Sequence, residues 1–143
     1  MTILYEEDVA AWAVEQVALL RAGQWALLDI DHIAEEIEDM NLSNRHQLAH
    51  RMMLLMAHLI KWQYQPDRRG SSWKNTIRDQ RKRIAKLLKK MPSLQTLLDD
   101  PQWYSDVWED ARSTAILQAD LAELPKTCVW SLEQLLAEDY FPS

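Results

Sequence analysis

Only two of the 143 residues are glycine, against a background of about 7%. Folds made of many tight turns need positive-φ positions, which glycine occupies at little steric cost. Barrels, sandwiches and glycine-fingerprinted nucleotide folds are therefore disfavoured. Leu and Ala together number 36, Val and Ile 13, and Leu and Ala lose little side-chain freedom in a helix. The chain is expected to be nearly all helix. At 48% apolar and 27% charged residues, its length suits one buried core, so a single helical domain over 1–143 is expected.

No apolar run approaches the roughly 20 residues of a membrane span, and the N-terminus is acidic where a signal peptide is basic. These features point to a cytoplasmic protein without a membrane partner. The lone Cys128 has no mate for a disulfide and no Cys or His at metal-ligand spacing.

Periodicity divides the chain into an up-and-down bundle of about five main helices with short extra ones. The first runs from about Glu6 to Ala22 with Val9, Trp12, Ala13, Val17 and Leu20 on one stripe, and Gly23 supplies its left-handed C′ residue. Asp29 caps a second, in which Ile30, Ile33, Ile37 and Met40 recur. A third starts near Ser43, with Leu48, Met52, Leu55, Leu59 and Trp62 at heptad-like spacing. Pro66 ends it, and a short link leads to a fourth helix near Trp73, antiparallel to the third. After Pro92 come a short helix to Leu98, a fifth opened by Asp100-Pro101, and a last short one opened by the capping box Ser131 to Gln134. Trp12, Trp62, Trp73 and Trp108 read as core, while Trp25, Trp103 and Trp130 sit near helix ends where rings could meet a partner.

The net charge of −6 hides an asymmetry: Pro66 to Lys90 carries +8 and the remainder −14. The turn from Trp62 to Lys74 sets Trp62 among Arg68, Arg69 and Lys74, a basic-aromatic surface suited to a partner. The basic helix 68–90 admits nucleic-acid binding, but the acidic remainder opposes a polyanion.

Within that basic helix Ile77, Ile84, Leu88 and Met91 form the apolar stripe, and Arg81 lies inside it. A core-facing guanidinium needs carboxylates or carbonyls around it. Asp29, His32 and Glu36 form a row on the second helix and are the first candidates. Arg51, His58 and Gln65 form one on the third, with Lys61 beside it, and an antiparallel hairpin puts His58 level with Arg81. One polar cluster of Asp29 or Glu36, His32, His58, Gln65 and Arg81 is expected, neutralising Arg81 with acid groups. It is either a satisfied network that sets helix register or a pocket in which His58 and a carboxylate meet a ligand or proton. The chain has no Glu-x-x-His, and Asp29-x-x-His32 with His58 offers at most three ligands, so no native metal or other cofactor is expected. His46 and His50 flank Gln47 where a zinc-protease helix has its catalytic Glu.

Several separated blocks are similar to a bacterial family of unknown function, domain of unknown function 29, abundant in cyanobacteria and also found in proteobacteria. They are Trp12 with Leu20-Arg-Ala-Gly23, Asp29 with Glu35-Glu-Ile-Glu38, His58 through Pro66, Ser72-Trp73 with Ile77 through Arg81, and Pro92-Ser-Leu94. The resemblance implies an all-helical bacterial protein and brings no assigned activity. Its blocks include Glu35, Glu36, His58, Lys61, Gln65, Trp73 and Arg81, nearly the set the helical wheel selects; His32 is not among the matched residues. Two functions stand out: an interaction or structural module that meets a protein partner or a second copy, and a ligand-binding protein or enzyme using Glu36, His58 and Arg81.

Overall fold

The computed structural model describes residues 2–121 and 123–143. Its order is α1 (Val9–Arg21), α2 (Ile30–Tyr64), α3 (Ser71–Lys90), α4 (Gln95–Leu98), α5 (Pro101–Ala119) and α6 (Leu132–Leu136), joined by 3-10 turns after α1, α2 and α3. No strand occurs among the described residues, and the architecture is an all-α helical bundle. The chain forms two compact units, one ending at Ser43 and the other Asn44–Ser143.

Local chemistry sets most helix ends. The Asp8 carboxylate accepts from Ala11 N at the start of α1. Gly23, at φ 72°, ends it, with bonds from Gly23 N to Leu20 O and Gln24 N to Leu19 O that satisfy orphan carbonyls. Asp100 caps α5 through Gln102 N with Pro101 in the first turn, and both bonds of the Ser131–Gln134 capping box form.

The second and third expected helices are one. α2 continues for 35 residues without a break near Ser43. Asn41, Ser43 and Asn44 resemble caps, but no Gly or Pro stands between Asp29 and Pro66, and Asn or Ser inside a helix costs only some tenths of a kcal/mol each. α3 likewise starts at Ser71, with Gly70 as its N-cap, two residues before the expected start.

In the first unit, α1 and the beginning of α2 run in opposite directions: Tyr5 meets Glu36 and Trp12 meets Asp29. Only Trp12 and Gln16 of α1 are buried. The expected stripe of Val9, Val17 and Leu20 is exposed instead. In the second unit the stretch of α2 around 55–60 is the most enclosed, with Leu55, Met56, Ala57, Leu59 and Ile60 inaccessible to solvent. Around it pack Ile77 and Ile84 of α3, Leu97 and Leu98 of α4, and Val107, Trp108, Ala111 and Ala115 of α5. Trp130, placed near a helix end by its sequence position, is buried there edge-on to Trp108 at 5.8 Å between ring centroids.

Candidate functional site

The residues singled out from the sequence separate into two groups, each with its own neighbours.

The first group lies in the N-terminal unit. Asp29 precedes α2, its backbone N–H donates to Gln16 Oε1 at 2.8 Å, and its carboxylate accepts from Trp12 Nε1 at 3.0 Å. His32 stands one turn on, with Nδ1 2.7 Å from Asp29 Oδ2 and Nε2 3.1 Å from Glu6 Oε1. Its ring stacks on Tyr5 at 4.2 Å, and the Tyr5 hydroxyl donates to Glu36. The hydrogen bond between them lowers the Asp29 pKa and raises that of His32. The bond to Glu36 pushes Tyr5 up to about 12.

Both imidazole nitrogens face carboxylates, an arrangement that favours the protonated, doubly donating ring. A general base needs one free ring nitrogen aimed at substrate, and His32 has neither nitrogen free. Glu35 is exposed. His32 is therefore a centre of this cluster although the family blocks pass over it. Tyr5, Glu6 and Gln16 had no signal in the sequence, since two precede α1 and the third reads as an ordinary polar helix residue.

The second group ties α2 and α3 to later segments. His58 Nδ1 is 2.8 Å from Leu54 O on its own helix, and burial lowers its pKa. Lys61, buried, donates to Gln118 Oε1 at 2.7 Å and lies 5.9 Å from the centre of the Trp73 ring. Burial lowers the Lys61 pKa, and Arg68 nearby adds to the effect. Gln65 Nε2 donates to Ala119 O at 2.5 Å, just where α5 ends at the left-handed Asp120.

Arg81 is only 4% exposed. It turns inward, but no carboxylate pairs with it among the described residues. Nε donates to Leu135 O at 2.7 Å and Nη2 to Gln134 O at 3.2 Å, while Nη1 reaches Glu138 O at 3.5 Å. The Gln134 and Leu135 carbonyls are ones that α6 leaves without partners at its C-terminus, where a cation is favoured, and that of Glu138 lies just beyond the helix. Desolvation lowers the Arg81 pKa, with Asp139 opposing that effect.

His58 is not level with Arg81. Arg51 Nη1 donates to Gln80 Oε1 at 3.4 Å, so the turn of α2 beside Arg81 is that of Arg51, two turns before His58. The early start of α3 accounts for about 3 Å of the offset, because two added residues carry Arg81 further from the hairpin turn. Thus the acid neutralisation expected for Arg81 is replaced by carbonyl capping, with the carboxylates of Asp29 and Glu36 engaged by Trp12, His32 and Tyr5.

The basic-aromatic turn is partly occupied by the chain itself. Phe141 packs 5.0 Å from Trp62, with Lys74 and Arg81 at 5.9 Å and 5.6 Å from its centre. Arg69 Nε donates to Trp62 O at 2.6 Å and its guanidinium covers the Trp62 ring at 5.2 Å. Arg68 is exposed.

A cavity of about 660 Å³ lies between α3 and the C-terminal segment, lined by Arg78, Arg81, Lys82, Ala85, Leu136, Glu138 and Asp139. Cys128 is half-buried beside Tyr104, and burial raises its pKa, which makes it a poor nucleophile. Among the described residues no cluster of three His, Cys, Asp or Glu could hold a metal, and no helix is long and apolar enough to cross a membrane.

The fold and these side-chain ties define an all-helical protein whose distinctive polar residues brace its segments. More particularly, the family model described as Domain of unknown function DUF29 matches residues 4–141, and the chain belongs to that family. Comparisons with curated proteins and with solved structures find no match.

Proposed function

We propose that this protein is an interaction module that docks through the apolar face of its N-terminal unit, while Lys61, Gln65 and Arg81 brace the C-terminal unit. The carrying observation is α1 itself. Between Val9 and Leu20 its only charged residue is Glu15, yet Val9, Val14, Val17 and Leu20 are 41% to 73% exposed. A helix apolar on most of its circumference belongs in a core, and an apolar patch left in water marks a contact surface.

Leu20→Glu and Ile37→Glu test the reading. Both should keep the parent's helical circular dichroism and its unfolding midpoint, measured where that midpoint is independent of protein concentration. A fall comparable to a core Leu→Ala, about 2–5 kcal/mol, would place these side chains in the chain's own core and overturn the proposal.

The cavity beside Arg81 supports a second reading, a site for a small anion with an apolar body. Its wall sets three cations, Arg78, Arg81 and Lys82, against the two acids Glu138 and Asp139, with the apolar Ala85 and Leu136 beside them, and no carboxylate forms an ion pair with Arg81 among the described residues. Titration with acetate and inorganic phosphate should shift amide signals of α3 and the Leu136–Asp139 segment; unmoved signals at millimolar anion would dismiss it.

A further inference from the structure

We infer that the occupant of this N-terminal face is a second copy of the same chain, two α1–α2 hairpins meeting as a four-helix bundle; the inference rests on the docking reading above. On a 100° wheel, Val9, Leu20 and Val17 lie about 40° to 120° beyond the Trp12–Gln16 edge that faces α2. Ile30 and Ile37 lie about 105° to 125° beyond the Asp29–His32–Glu36 edge that faces α1. Because the two segments run in opposite directions, equal offsets of the same sense put both stripes on one side of the hairpin. Trp25 and Leu27, in the 3-10 turn between them, are each 63% exposed and extend the surface at its closed end.

Size and shape both suit a self-complementary contact. With Met40, these side chains leave on the order of 800 Å² in solvent, the area each partner contributes to a standard interface. A hairpin with one apolar side is half of a four-helix bundle, and a two-fold axis lets the same patch cover itself.

Charge is the opposing force. Ten Asp and Glu against the single Arg21 leave residues 1–43 at −9. None of the ten lies on the exposed stripes: Asp31 and Glu38 flank the α2 stripe, and Glu35 and Asp39 lie further round the helix. Repulsion between copies is then carried mostly through solvent, where salt screens it over about 8 Å. Burial of the stripes is not screened in this way. The dimer should therefore tighten with salt, whereas a cationic partner held by the acidic rim would loosen.

Sedimentation equilibrium of the full chain tests this at low and high sodium chloride. The expected result is a reversible monomer–dimer equilibrium that strengthens several-fold as salt rises. Ile37→Glu and Leu20→Glu should each weaken it by about a hundredfold or more, since either buries an unpaired charge. Ile37→Lys, which lowers the negative charge, should weaken it equally, showing that burial rather than repulsion decides. A parent chain monomeric to about 100 µM, with the two glutamate variants as stable as the parent, overturns self-association and leaves docking to a different partner. A dimer indifferent to all three substitutions also overturns it.

Discussion

Replacing Arg81 with alanine removes the link between the middle of α3 and the end of α6. Two of its hydrogen bonds are short enough to count fully, Nε to Leu135 O at 2.7 Å and Nη2 to Gln134 O at 3.2 Å; the third, at 3.5 Å to Glu138 O, is marginal. A bond to a charged donor contributes about 1.5–3 kcal/mol. Burial of the guanidinium opposes this gain, so the lower end applies to each, and the two together amount to about 3 kcal/mol. The adjoining cavity lets water reach the freed carbonyls, which keeps the loss from growing further. Urea unfolding read by circular dichroism measures it: at a slope of about 2 kcal/mol per molar, the midpoint falls by about 1.5 M. Amide exchange gives the location, with protection lost first in α6 and around Phe141, whose ring lies 5.6 Å from the guanidinium. Arg81→Lys should recover only part of the midpoint, because one ammonium cannot span the carbonyls a planar fork reaches. An Arg81→Ala midpoint within error of the parent, or α6 protection unchanged, would refute the capping role.

Two further outcomes follow from the same geometry. The imidazole of His32 should titrate above its ordinary 6.5, read from its carbon-bound proton shifts, because Asp29 and Glu6 favour the charged ring. Its stabilisation of the N-terminal unit is then complete below 6.5 and is lost as pH rises through the folded value, with the indole N–H proton signal of Trp12, bonded to Asp29, as reporter. Asp29 acts oppositely, its contribution present above 3.8 and lost as pH falls through its depressed value. A His32 titration at or below 6.5 would contradict the clamp. Trp130→Ala should destabilise the chain by about 3–5 kcal/mol, since that ring is buried against Trp108; a loss under 1 kcal/mol in the same urea assay would show that the ring is not core.

Helix content, most helix ends and the inward turn of Arg81 were legible in the chain, because each depends on residues within one or two turns of one another. Gly23 closes α1, Asp100-Pro101 opens α5 and Ser131 boxes α6 through neighbours a few positions away. The continuity of α2 is hidden for a related reason: cap-like residues express a weak local preference, which burial and uninterrupted hydrogen bonding override.

Partners distant in the chain were another matter. The wheel shows that Arg81 faces inward, but only the packed fold decides that carbonyls from 134, 135 and 138 meet it rather than Asp29 or Glu36. A backbone carbonyl is the same for every residue type and so leaves no mark in the sequence. The exposed stripe of α1 behaves alike: its pattern declares a surface to be buried, and tertiary structure alone reveals that the single chain leaves it uncovered. Periodicity records which side of a helix avoids water, while the neighbour that covers it is set by long-range packing.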